Sequence, residues 1–92
     1  MDRCRLQVYY SGRVQGVGFR YTVQKLAAGF EVVGLVRNLD DGRVELVAEG
    51  ERAELEAFRE AIRAAGLARL IQREEAAWSA VRGEFRGFSI AG

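Results

Sequence analysis

Leu6, Val8 and Tyr10 alternate with Arg5, Gln7 and Tyr9, a period of two that predicts a half-buried strand early in the chain. A loop follows, Ser11-Gly12-Arg13-Val14-Gln15-Gly16-Val17-Gly18, rich in glycine. Phe19, Val23, Leu26, Ala27 and Phe30 then recur at helical spacing, forming one apolar helix face whose last turn Gly29 weakens. The Val-rich stretch 31–39 predicts a second strand, and Asp40-Asp41-Gly42 a tight turn. Beyond the turn, Val44, Leu46 and Ala48 alternate with Arg43, Glu45 and Glu49, giving a third strand and closing a hairpin. Gly50 is expected to open a second helix, with Glu51 and Glu54 in its first turn, where the helix dipole favours acids. Leu55, Phe58, Ile62 and Ala65 form its inner face, and Gly66 ends it.

Residues 69–78 alternate poorly, and Glu74, Glu75, Ala76 and Ala77 would suit a helix. A strand is expected there because a sheet under two helices needs a fourth member. Arg82-Gly83-Glu84 reads as a turn, and Phe85, Phe88 and Ile90 as a short edge strand. The order is β-α-β-β-α-β plus a short C-terminal strand. This is an α+β, ferredoxin-like βαββαβ sandwich, with a mostly antiparallel sheet and two helices on one face. A right-handed βαβ unit makes strands one and two parallel, so loop 12–18 and the strand end at 37–39 share one edge.

A chain of 92 residues is expected to form one domain, residues 1–92. Fourteen Lys+Arg against thirteen Asp+Glu leave a net +1, so any anion site must be local rather than a property of the whole surface. Histidine is absent, which removes Ser–His and Cys–His nucleophile pairs, imidazole acid–base chemistry and His-ligated zinc. Every basic residue except Lys25 is arginine, whose planar fork grips oxyanions. Cys4 has no cysteine partner and is expected to be a bystander near a frayed terminus. The N-terminus lacks the apolar run of a secretory signal, and no segment is long enough to span a bilayer, so a cytoplasmic protein is expected.

The glycine-rich loop before the first helix is either a flexible connection or an anion cradle. In a cradle, glycines turn successive N–H groups inward and the helix N-terminus adds partial positive charge. Gly16-Val17-Gly18 lacks the third glycine of a dinucleotide fingerprint, and no Walker lysine is present. Arg20 falls in the first helical turn, where a cation opposes the dipole by several tenths of a kcal/mol. A bound oxyanion would reverse that sign; otherwise Arg20, like Arg13, is a solvated surface charge. Asn38 either begins the Asp40-Asp41-Gly42 turn or uses its amide to hold a water beside the anion.

Gly12-Arg13-Val14-Gln15-Gly16-Val17-Gly18-Phe19-Arg20 resembles the first signature of the acylphosphatases. Gly34-Leu35-Val36-Arg37-Asn38-Leu39-Asp40-Asp41-Gly42-Arg43-Val44, followed by Gly50, resembles the second, departing at Leu35 where the family usually carries an aromatic. The resemblance spans roughly residues 5–90 and implies hydrolysis of the carboxyl–phosphate bond of an acyl phosphate. It implies that Arg20 binds the phosphoryl group together with amides of Gln15, Gly16, Val17, Gly18 and Phe19, while Asn38 orients the attacking water. Arg20 and Asn38 are then the catalytic pair. A carboxylate leaves readily, so the absence of histidine is no obstacle, and loose phosphoryl transfer asks mainly for positioning and charge stabilisation.

The resulting expectation is a metal-independent hydrolase with no cofactor, acting as a monomer. Its substrate is an acyl phosphate, inorganic phosphate is its product and inhibitor, and it binds no nucleic acid or membrane. The main alternative is a non-catalytic ferredoxin-like module that binds an anion or regulates a partner. Another is the related domain of carbamoyl-phosphate-using maturation proteins, for whose larger context 92 residues leave no room. Glu45 and Glu49 are expected on a solvated strand face rather than in a metal site. Arg86-Gly87-Phe88-Ser89-Ile90 partly resembles the RNP1 motif of RNA-recognition modules, but lies on the last strand of a chain without basic surplus.

Overall fold

The computed structural model describes residues 2–91. Its elements are β1 (Arg3–Gly12), α1 (Phe19–Ala27), β2 (Val32–Asn38), β3 (Val44–Glu51), α2 (Arg52–Ile62), β4 (Ile71–Ser79) and β5 (Phe88–Ala91). The sheet runs β4-β1-β3-β2-β5, with β5 parallel to β2 and every other pair antiparallel. This is the expected ferredoxin-like arrangement, and the strand predicted within 69–78 is present as β4.

Register follows from the apolar alternation. Leu6 pairs with Ala48, Val8 with Leu46 and Tyr10 with Val44, while Val36 pairs with Leu46 on the other side of β3. A slip by one residue would turn this whole set to the opposite face, so burial fixes the pairing. The set joins Phe19, Val23 and Ala27 of α1 and Leu55, Phe58 and Ile62 of α2 in one core. Each fully buried large side chain contributes about 1.5–3 kcal/mol through burial.

Several boundaries differ from the sequence expectation. Gly50 does not open α2; it lies in β3 opposite Cys4 and Val32, and Glu51 caps the helix that starts at Arg52. Ala65 is exposed, because the helical path breaks at Ala65–Gly66, and Leu67 supplies the buried contact instead. Phe30 lies beyond the end of α1 but still packs on the core, against Phe58. Cys4 is half-buried within β1 rather than at a frayed end. Phe85 is outside β5.

β4 reads poorly in sequence because it is an edge strand whose helix-facing side is partly ionic. Glu74, opposite Tyr10, accepts from Arg59 Nε at 3.1 Å and Arg63 Nε at 2.9 Å, and Arg52 lies 4.2 Å over the Trp78 ring. Arginines of α2 and of its C-cap thus roof a strand that lacks apolar alternation, and an inward charge on an edge discourages pairing with other chains.

The largest correction concerns Glu45 and Glu49. They are 4 % and 1 % exposed, not solvated. β4 and β5 occupy opposite edges, so residues 80–87 must cross the sheet, and they do so over the face away from the helices. Glu49 anchors this crossing: its carboxylate accepts from Arg5 Nη1 at 2.9 Å, Arg82 N at 2.9 Å and Gly83 N at 3.1 Å. Phe85 covers the Arg5 guanidinium at 5.4 Å, and Gly34 N donates to Gly87 O as the strand β5 begins.

Burial works against ionising Glu49, but the Arg82 N–H, the Arg5 guanidinium and the Gly83 N–H outweigh it and hold its carboxyl below the usual range. Glu49→Ala is expected to cost about 3 kcal/mol in urea unfolding, because it leaves the Arg82 and Gly83 N–H groups without their acceptor and Arg5 with only the exposed Glu84, 3.1 Å away. A carboxyl with a depressed folded pKa contributes stability above its unfolded pKa and loses it as pH falls through the folded value. Wild type should therefore lose more stability than Glu49→Gln on acidification below about pH 4. Parallel acid profiles of the two proteins would contradict this.

Candidate active site

The segment between β1 and α1 is built for donors. Val14 is buried and pins its middle, while Gly16 and Gly18 take left-handed φ values of 75° and 78°. Nothing would collide with a Cβ at either position, so glycine is required there for backbone conformation rather than for space. Left-handed residues interleaved with ordinary ones turn successive N–H groups toward a common side. Gly18 caps α1 without a side-chain hydrogen bond, and no acid lies in the first turn. The first intrahelical bond runs from Thr22 N to Gly18 O at 3.0 Å, leaving earlier amides outside the helical ladder.

Arg20 stands half-buried in this first turn. With Val14, Gly16, Gly18, Phe19 and Tyr21 it lines a pocket of about 190 Å³. Its floor is rigid: the Phe19 ring packs on Tyr10 at 5.1 Å between centroids, and both are buried. Burial first, and the Glu74 carboxylate second, raise the Tyr10 hydroxyl above its ordinary pKa, so it remains protonated.

Asn38 ends β2, paired with Val44 across the hairpin. It does not line the Arg20 pocket. Gln15 couples the two: its Nε2 donates to Leu39 O at 2.8 Å and Arg43 O at 3.0 Å, tying the glycine loop to the β2–β3 turn beside Asn38. The side chain of Gln15 is thus a tether. Asn38 Oδ1 is buried and has no hydrogen-bond donor among the described residues. Such an acceptor costs about 1–3 kcal/mol unless a donor reaches it. The expected meeting of loop 12–18 with the end of β2 is present.

The end of β2 is also held from behind. Arg37, next to Asn38, donates to Glu45 at 2.6 Å, and Gln7 Nε2 donates to the other Glu45 oxygen at 2.6 Å. Burial opposes the charge on Glu45, yet these donors outweigh it and lower its pKa, so the carboxylate stays ionised at neutral pH. Arg13 is exposed, as expected, and its backbone N–H is used by Leu70 O. Among the described residues no three Cys, Asp or Glu side chains converge as metal ligands, and no helix is long and apolar enough to cross a membrane.

Two features escaped the sequence reading. The buried role of Glu49 depends on the crossing segment and that of Glu45 on Gln7 and Arg37 of the neighbouring strands, partners which no local pattern announces. Tyr21 lines the pocket while 71 % exposed; its signal was an aromatic on the outer side of an otherwise well-patterned amphipathic helix.

The acylphosphatase family model matches residues 6–90. An acylphosphatase of Roseiflexus sp. is 42 % identical over 98 % of this chain and 97 % of its own. The crystal structure of acylphosphatase from Bacillus subtilis superposes with a TM-score of 0.85 at 35 % identity, covering 97 % of this chain and 99 % of that one. A segment of HypF from T. kodakarensis matches with a TM-score of 0.83 at 31 % identity, covering 97 % of this chain but 12 % of HypF. The signature residues, the sheet order and these matches agree: the chain belongs to the acylphosphatase family.

Proposed function

We propose that this protein hydrolyses the carboxyl–phosphate bond of an acyl phosphate without a metal, and that Arg20 and Asn38 perform the key steps. Phosphoryl oxygens accept hydrogen bonds from the amides of Gln15, Gly16, Val17, Gly18 and Phe19 and from the Arg20 guanidinium. These donors are fixed before reaction and face charge that spreads over the phosphoryl oxygens in the transition state. Asn38 Oδ1 accepts a hydrogen from a water and so aims its lone pair at phosphorus. The water oxygen bonds to phosphorus as the P–O bond to the acyl group breaks. The bonding pair leaves on the carboxylate, and the water proton passes to the phosphate product. The leaving carboxylate is stable at neutral pH without protonation, so no imidazole is needed.

The observation that carries the catalytic reading over simple anion binding is the buried Asn38 Oδ1, to which no described residue donates, beside a loop that Gln15 ties in place. An anion module has no use for it; a water-orienting acceptor accounts for its cost. The test is loss of acyl-phosphate absorbance from benzoyl phosphate in the presence of EDTA. Turnover insensitive to chelator and inhibited competitively by inorganic phosphate is the expected result. Phosphate binding by folded protein without turnover would replace the enzyme with the anion-binding module.

A further inference from the structure

Among the described residues the exposed large hydrophobics are Val17, Tyr21 and Val81, at 44, 71 and 37 %. Two of these three belong to one place. Tyr21 lines the pocket that Arg20 shares with the glycine loop, and Val17 sits between its lining residues Gly16 and Gly18. Core packing does not explain either. Phe19 and Val23 carry the buried face of α1, and Tyr21, two positions from each, is turned away from it. The pocket lining therefore joins two chemistries: the glycine loop with the Arg20 guanidinium, and the exposed aromatic Tyr21.

An acyl phosphate is divided in the same way. Its phosphoryl group is anionic and its acyl group is carbon. Water around an exposed tyrosine ring is displaced favourably by an apolar or aromatic partner, and such ring contacts discriminate modestly. Resting on the acyl phosphate hydrolysis proposed above, we infer that Tyr21, together with the exposed Val17 of the adjoining loop, holds the acyl portion. The substrate class is then acyl phosphates with an aromatic or extended apolar acyl group, in preference to short ones such as acetyl phosphate. Tyr21 is a specificity residue and takes no part in the chemistry at phosphorus.

The experiment compares benzoyl phosphate with acetyl phosphate in wild type, Tyr21→Ala and Tyr21→Phe, with circular dichroism to verify folding. In Tyr21→Ala the ratio of benzoyl to acetyl kcat/KM should fall about fivefold, through KM for benzoyl phosphate, and Tyr21→Phe should restore it because the ring is kept. Equal losses on both substrates, an unchanged ratio, or a matching rise in the inhibition constant for inorganic phosphate would each overturn the assignment. Wild type that turns over neither substrate would remove the hydrolytic reading itself, and this inference with it. Active wild type with an unmoved ratio in Tyr21→Ala removes only the inference.

Discussion

Arg20→Ala is expected to lower kcat/KM for benzoyl phosphate by about 10³-fold or more, the scale seen when an arginine or oxyanion donor leaves a phosphoryl or acyl transition state. Both constants should suffer, because the guanidinium is proposed to bind the phosphoryl group in the ground state and to meet more charge in the transition state. Inorganic phosphate should raise the melting temperature of wild type through preferential binding to the folded protein, and this rise should shrink in the variant. Arg20→Lys should recover only part of the loss, since an ammonium restores charge but not the two-pronged geometry. A variant without Arg20 that keeps wild-type kcat/KM would remove this residue from the mechanism.

Asn38→Ala should behave differently. Its kcat is expected to drop about 10²-fold, while the inhibition constant for inorganic phosphate stays near the wild-type value. The reason is the proposed division of roles: the loop amides and Arg20 hold the phosphoryl oxygens, whereas Asn38, at the end of β2, is assigned to the water. Stability supplies an independent readout. No described residue donates to Asn38 Oδ1, so removing it breaks no protein hydrogen bond at that atom and should change the unfolding free energy by no more than about 1 kcal/mol. Lost turnover with retained or improved stability separates a water-positioning residue from a structural one. Full kcat in Asn38→Ala would defeat the assignment, and a large loss of stability would make Asn38 a turn residue.

The core of this fold was legible because burial writes itself into periodicity. Leu6, Val8 and Tyr10 against Val44, Leu46 and Ala48 gave both strands and their common face, and the structure pairs them in that register. Phe19 and Val23, with Leu55, Phe58 and Ile62, marked the two helices for the same reason. The Gly16-Val17-Gly18-Phe19-Arg20 segment was legible because left-handed backbone demands glycine at Gly16 and Gly18 and few contexts place an arginine in a first helical turn. Where reading failed, partners were distant. Nothing near Glu49 in sequence indicates that Arg82 and Gly83 will donate to it, so an alternating glutamate looked solvated. β4 hid because Glu74, in place of an apolar residue, faces Arg59 of α2 and Arg63 at its C-cap, which neutralise it.

By itself, then, the sequence determined the order of elements, the faces of the central strands and the residues of the glycine loop that leads into α1. Each rests on local conformational preference or on a repeating pattern of burial. The tertiary structure alone decided how Gln15 locks the loop to the end of β2, how Glu49 ties down the chain crossing the open face, and that Tyr21 borders the Arg20 pocket. The physical reason is common to all three. A hydrogen bond between polar groups far apart in sequence leaves no periodic trace, and an exposed ring acquires meaning only from what stands beside it in space.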